Sequence, residues 1–303
     1  ASRSVHNRVL MKPKLWVAVA AHNPMQRVQN LLQLAYNYAE FEADVQLNIY
    51  INYEAQDDAE TLRQLFSVVN YEVNVKVADP AYEGWYLTWA HKNDLASAVL
   101  SREYDYFIYQ EDDMGIKEHH WNYYRKWRPV LSRVGLVPGF VRFENFEQRR
   151  IPFDNQEKHP LGGATRKIWG DIDFPVPVHL IVDHEIHFFS QCSNPYYGAM
   201  ILDWAEANQY IRSMSFDHNM SSAVVAPRGW PIADRSSMGT AFESVPTGYQ
   251  HRRCVPLRKV KDKFEVLDYA LIEHFGNKYS LAFAQGGLGL LDCSEIFHLA
   301  TSG

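Results

Sequence analysis

The opening of this chain alternates short apolar runs with helical periodicity, and that rhythm constrains the fold more than any other feature of the sequence. Residues 15–21 (LWVAVAA) form a run of strand formers, broken by His22-Asn23-Pro24. Val28, Leu31, Leu32, Leu34, Ala35 and Tyr38 then recur at helical spacing. Residues 45–51 alternate, with Val45, Leu47, Ile49 and Ile51 on one face and Gln46, Asn48 and Tyr50 on the other. Asp57-Asp58 stand where an N-cap and a first-turn acid belong for a helix running to Val69. Residues 73–78 alternate again. A β-α-β-α-β opening predicts an α/β fold, a mainly parallel sheet with helices on both faces.

The rhythm continues through a helical pattern over residues 88–100 and an apolar strand over 104–110 (YDYFIYQ), which ends in Glu111-Asp112-Asp113. An amphipathic stretch covers 118–134 and a strand 137–143. Residues 148–174 are polar and rich in Gly and Pro, the composition of a loop, and a loop this long is expected to act as a lid over the site. Beyond it the spacing predicts a strand over 178–189 and a helix over 200–214, without the earlier regularity. The expected organisation is a lead-in (1–13), a regular nucleotide-binding half (14–147) and an irregular substrate-binding half of the same domain (148–303).

Composition narrows the function classes. The 303 residues are enough to bury a substantial core, and a formal net charge of −6 argues against a broad nucleic-acid footprint. No window of about 18 apolar residues is present, so no membrane span is expected in this chain. Eight Trp and eighteen Tyr line carbohydrate or nucleotide sites in some proteins and fill cores in others. Cys192, Cys254 and Cys293 fit neither a disulfide framework nor a paired-cysteine metal site; one disulfide with a thiol, or three thiols, stay open. Asn219-Met220-Ser221 is a formal glycosylation triplet. The chain opens on Ala-Ser-Arg-Ser-Val, without initiator Met or signal-peptide core. If a trimmed anchor preceded it, the expected compartment is the Golgi or secretory lumen, ahead of the cytoplasm.

The acidic triplet carries the chemistry. Ligands of open α/β sheets bind outside the carboxyl ends of the strands, where Glu111-Asp112-Asp113 stand. Glu111 and Asp113, two apart on an extended chain, project to one side. Hard oxygen donors so placed suit Mg²⁺ or Mn²⁺, which neutralises a departing diphosphate. Alone, such a triplet is usually a solvated loop. Its context decides. Gly84, Ala90, Lys92, Asn93 and Ala96, followed by the strand 104–110 and the Glu-Asp-Asp triplet, make residues 14–145 resemble GT-A glycosyltransferases, whose corresponding strand ends in a DxD motif. The resemblance implies a nucleoside diphosphate-sugar donor, a carbohydrate or glycoprotein acceptor, and nucleotide contacts from the loop at Ala21, His22 and Asn23. It also implies that Asp113 is the main metal ligand, with Glu111 or Asp112 reaching the ribose or a metal-bound water. Glu in place of the first Asp departs from the strict motif.

The second half must supply the rest. An inverting transferase needs a carboxylate base, and the candidates are Glu243, between Phe242 and Val245, and Asp234. The bland alternative is a surface ion pair with Arg235 or Arg252. His274, in Leu271-Ile272-Glu273-His274-Phe275, resembles the late metal-binding His of many GT-A enzymes, although a lone His after a strand is more often a hydrogen-bonded structural residue. His179, Asp183, Glu185 and His187 share one face if 178–189 is a single strand, and His119-His120 read as helix-start residues. Lys92 is a candidate partner of the diphosphate, with a solvated charge as its rival; Trp85 and Trp89, four apart, read as a packed helical pair. Arg142 and Arg149-Arg150 are further phosphate candidates. Two rival functions remain: a nucleotidyltransferase, which would want a Gly-rich basic loop that His22-Asn23-Pro24-Met25 does not provide, and a degenerate sugar-binding protein.

Overall fold

The computed structural model describes residues 12–152, 178–191, 196–221, 231–242, 253–261, 263–276, 278–285 and 297–298. Strands β1 (Lys14–Ala21), β2 (Asp44–Ile51), β3 (Glu72–Val77) and β4 (Tyr106–Glu111) form a parallel sheet. Its order is β11-β4-β1-β2-β3, with β11 (Ala199–Asp203) antiparallel against β4. The fold is α/β, as the opening rhythm predicts.

Alternation along the strands sorts their side chains onto two helical layers. Leu15, Val17, Val19 and Ala21 of β1 pack with α1 (Val28–Ala39), α2 (Ala59–Phe66) and α4 (Glu118–Ser132), through residues such as Leu34, Leu62 and Trp121. Trp16, Ala18 and Ala20 face the other way, onto α3 (Lys92–Ser101) and α5 (Trp204–Tyr210). Each large apolar side chain buried so completely contributes about 1.5–3 kcal/mol, which makes the sheet a rigid base for the loops at its carboxyl edge.

Two further sheets come from the second half of the chain and the residues after β4. One has the order β15-β13-β12-β10-β9, built from β9 (Val178–Val182), β10 (Glu185–Gln191), β12 (Arg253–Val260), β13 (Lys263–Val266) and β15 (Phe297–His298), with β6 (Val137–Pro138) paired to β12. The other, of order β5-β14-β7-β8, joins β5 (Met114–Gly115), β7 (Val141–Phe146), β8 (Arg149–Pro152) and β14 (Leu271–His274). Because β5 directly follows the acidic triplet, this small sheet brings β7 and β14 to the carboxyl edge of β4.

Several expectations are corrected. The segment 178–189 is a hairpin rather than one strand, because Asp183 and His184 take left-handed φ values of 51° and 67° and turn the chain. The four polar residues predicted on one face therefore divide between two strands and a turn. The expected helix over 200–214 starts as strand β11. Asp203 then caps α5 by accepting from the Glu206 amide at 2.8 Å. The pattern over 88–100 is a 3₁₀ segment, Gly84–Trp89, followed by α3. At three residues per turn, positions four apart leave a common face, so Trp85 is 75% exposed while Trp89 is buried. The strand expected over 137–143 divides into β6 and β7. Asp58 makes no side-chain cap to α2 because a 3₁₀ segment, Tyr53–Asp58, already leads into that helix. The expected loop 148–174 begins with β8, and its remainder lies outside the described residues, as do Glu243, Cys192 and Cys293. Among the described residues, no helix is long and apolar enough to cross a membrane.

Candidate functional site

Glu111 closes β4, and the next two acids form the turn into β5. Gln110 sets that turn. Its Nε2 donates to the Met114 carbonyl at 2.9 Å, while its Oε1 accepts from Tyr38 Oη at 2.5 Å. The Phe275 amide donates to the Asp113 carbonyl at 2.7 Å, so the end of β14 is fastened to the triplet through backbone. That register brings His274 to it. Nε2 of His274 lies 3.2 Å from Asp113 Oδ2, and Nδ1 lies 2.9 Å from Glu144 Oε1.

Glu144 is buried on β7 and anchored by amides at the start of helix α7 (Lys278–Gln285). Its Oε2 accepts from Ser280 N at 2.6 Å and its Oε1 from Tyr279 N at 3.3 Å. Burial pushes Glu144 up, but the His274 and amide hydrogen bonds prevail and hold it below the usual carboxylate value. Burial likewise pushes His274 down, and its bonds to Asp113 and Glu144 overcome that, raising it to about 9. Asp113 is partly buried, which pushes it up, yet the His274 bond keeps it below its ordinary range.

The remaining acids are crowded. Arg27, in the 3₁₀ segment Pro24–Arg27 after β1, places Nη1 2.6 Å from Asp112 Oδ1 and 3.4 Å from Asp113 Oδ2. Burial and the Asp113 charge nevertheless push Asp112 up to about 7. Burial, with Asp113 next, also raises Glu111, whose Oε1 accepts from Tyr196 Oη at 2.5 Å. The Arg142 guanidinium lies 4.4 Å from the Tyr196 ring centroid, and Asp234 is close enough to act on both Glu111 and Tyr196. Asp112 Oδ2 and Asp113 Oδ1 are buried with no hydrogen-bond partner.

The structure thus gathers Glu111, Asp112, Asp113, His274 and Asp234 around one place, from three distant stretches of sequence. Ala21 is buried at the end of β1, and His22 and Asn23 are exposed in the adjoining loop, where the Asn23 amide donates to Asn52 Oδ1 at 2.9 Å. Lys92 needs correction. It is neither a solvated charge nor free to meet a diphosphate: it is buried, with Nζ donating to Tyr210 Oη at 2.5 Å and Ser236 O at 2.7 Å. Trp89, Tyr210 and Phe216 surround the ammonium with ring centroids at 5.1, 4.5 and 5.4 Å. Sequence reasoning missed Arg27, Glu144 and Tyr196. Only Glu144 left a signal, since VRFENF places an acid between the apolar Phe143 and Phe146 of a strand.

As they stand, no three His, Cys, Asp or Glu side chains among the described residues are gathered in metal-holding geometry. Arg27 and His274 instead supply the positive charge facing the acids. A scan with protein-family models finds no match, and neither does a search of curated proteins. Among solved structures, the chain is similar to S. aureus TarS 1-349, at TM-score 0.37 and 11% identity over 76% of this chain and 55% of that one. TarS 1-349 in complex with UDP-GlcNAc aligns at TM-score 0.34 and 12% identity, over 65% and 47% respectively. The chain therefore spans about half the length of the structures it matches. Likeness at these scores does not decide function, and the α/β class rests on the strands and helices themselves.

Proposed function

We propose that this chain is a glycosyltransferase that moves a sugar from a nucleoside diphosphate-sugar to a hydroxyl acceptor, a glycan or glycoprotein. In this reading Mn²⁺ or Mg²⁺ is held by Asp113, His274 and one of Glu111 or Asp112. The observation that carries it is the meeting of His274 with Asp113 beside two buried, unpartnered carboxylate oxygens. Glu111 and Asp112, raised by burial first and by the Asp113 charge second, call for a cation, and hard oxygens with one imidazole suit these ions. Arg27 is half-exposed, so its guanidinium can leave the acids at little cost. When bound, a divalent ion supplies charge neutralisation at the departing diphosphate.

The chain's own residues do the rest. Glu144 accepts the Nδ1 proton of His274 and so turns Nε2 toward Asp113, the supporting arrangement that orients a ligating imidazole. Arg27 and Arg142 supply positive charge next to the triplet for the donor phosphates. Asp234, half-buried and close enough to Glu111 to act on its charge, is the nominee among the described carboxylates for the base that takes the acceptor proton. Glu243 stays the other nominee for that role.

Calorimetry with UDP, GDP, CDP and ATP, each with and without Mn²⁺, tests the reading. A nucleoside diphosphate that binds only with metal is the expected result. Preference for the triphosphate would point to nucleotidyl transfer, and binding of none of them would remove the proposal.

A further inference from the structure

A half-open cavity of about 130 Å³ lies where the 3₁₀ turns after β3 (Pro80–Tyr82 and Gly84–Trp89) meet the first turn of α3 and residues 216–218. Its walls are rings. Tyr82, Trp89, Phe216 and His218 line it, and His218 meets Trp89 with ring centroids 6.0 Å apart. Trp89 is fixed from behind, its Nε1 donating at 2.9 Å to the Ile232 carbonyl of helix α6 (Ile232–Phe242). Lys92 lines the cavity as well, with its ammonium 5.1 Å from the Trp89 ring centroid and 5.4 Å from that of Phe216. Space of this size takes one six-membered ring and little more.

The fold leaves polar groups unused around these rings. The Lys92 ammonium has three N–H donors, and Tyr210 Oη and Ser236 O take two of them. Asp217 stands exposed at the rim, where its Oδ1 accepts from the amides of Asn219 and Met220 at 2.8 and 2.9 Å. Its Oδ2 has no partner among the described residues. The half-buried His218 ring makes edge contacts with Tyr86 and Trp89, and its nitrogens are likewise without a partner there. This mixture selects the ligand. An anion would meet Asp217, a cation would meet Lys92, and a purely apolar ring would leave both of them unanswered. A hydroxylated ring satisfies all three side chains, because each hydroxyl both donates and accepts.

We propose that this cavity binds one neutral hexopyranose unit, its hydroxyls on Lys92, Asp217 and His218 and a C–H face against the ring wall. None of Glu111, Asp112, Asp113 and His274 lines it, so it is separate from the place where those acids gather. Trp89 and Lys92 both hold α6, which carries Asp234, and so connect the cavity to that place. The hexose held here belongs to the acceptor rather than the donor; that role alone rests on the transferase reading above.

Ligand-observed NMR on the whole chain tests the site without any turnover. The probes are glucose, galactose, mannose and N-acetylglucosamine, with glucuronate and cyclohexanemethanol as acidic and apolar counterparts. At least one hexose is expected to bind saturably and more tightly than either counterpart. Asp217→Asn, which keeps an oxygen for the two amides, should weaken that hexose about ten-fold, the effect of one hydrogen bond to a charged group. Phe216→Ala should weaken every probe alike. Saturating UDP with Mn²⁺ should leave the hexose bound. The proposal is overturned by the absence of saturable hexose binding, by tighter binding of either counterpart, or by displacement with UDP and Mn²⁺, and these three comparisons need no variant to fold. A folded Asp217→Asn of unchanged affinity overturns it as well. If no nucleotide binds while the Asp217-dependent hexose binding is present, the transferase reading fails and the site survives; nucleotide binding without hexose binding ends this proposal alone.

Discussion

Asp113 meets three different demands within one residue. Its Oδ2 faces His274 and Arg27, its Oδ1 has no partner, and its carbonyl holds the end of β14. Asp113→Ala keeps the backbone fastening and removes both oxygens. Turnover at saturating Mn²⁺ is expected to fall by about 10³-fold or more with the fold intact, and near-normal turnover would take Asp113 out of the metal site. Gly198 is a quieter requirement beside it. Its φ is +63°, its carbonyl accepts from the Glu111 amide at 3.0 Å, and an added Cβ would stand 2.9 Å from Met114 Sδ. Gly198→Ala should therefore cost about 1–2 kcal/mol in backbone strain alone, read as a melting temperature lowered by several degrees. An unchanged melt would show that the loop relaxes freely. At this scale the triplet and His274 were legible because each ends an apolar strand. Tyr196 and Arg27 were not, since only the tertiary register brings them to acids 85 residues away.

Among the elements, the helix Ile232–Phe242 shows how a buried side chain can act at a distance. Lys92 holds Ser236 O, two residues beyond Asp234, inside a box of aromatic rings. Lys92→Met keeps the stem but takes the ammonium donor away from the buried Tyr210 hydroxyl and Ser236 carbonyl, so stability should fall by about 1–3 kcal/mol. Turnover should drop as Asp234 loses its position, while metal-dependent nucleotide affinity stays unchanged. A fall in that affinity, measured by the same calorimetry, would return Lys92 to the donor site. The parallel strands were readable because β1 and β4 are mostly continuous apolar runs, β2 and β3 alternate polar with apolar residues, and clear breaks bound each of them. The second half was less so: β11 is only five residues long and runs straight into a capped helix, and helical and strand periods cannot be separated over so short a run.

For the molecule as a whole, pH reaches stability through buried imidazoles. His120 links the start of α4 to β14: Nδ1 accepts from the Lys117 amide at 2.9 Å, and Nε2 donates to Leu271 O at 2.8 Å. Burial, with His119 second, pushes it down to about 3. A folded value below the unfolded one near 6.5 means the contribution is complete above pH 6.5 and is lost as pH falls toward 3, by about 1.4 kcal/mol per pH unit. His91, buried against Tyr109, shifts in the same direction. Asp112, raised to about 7, pulls the opposite way over the same range, so the test is a difference: in urea unfolding between pH 7.5 and 5, His120→Gln should lose less stability on acidification than the wild-type chain, and identical slopes would assign the proton uptake elsewhere.

The antiparallel strand β11 has one more consequence, for the chain as it is made. β4 is finished at residue 111, but the neighbour that covers its outer edge ends only at residue 203. At ordinary synthesis speeds of about 5–20 residues per second, that edge waits roughly 5–20 s on the nascent chain. During that interval an apolar strand with open backbone groups is displayed outside the ribosome, and the half of the molecule bearing the acidic triplet cannot complete its sheet until most of the other half has emerged.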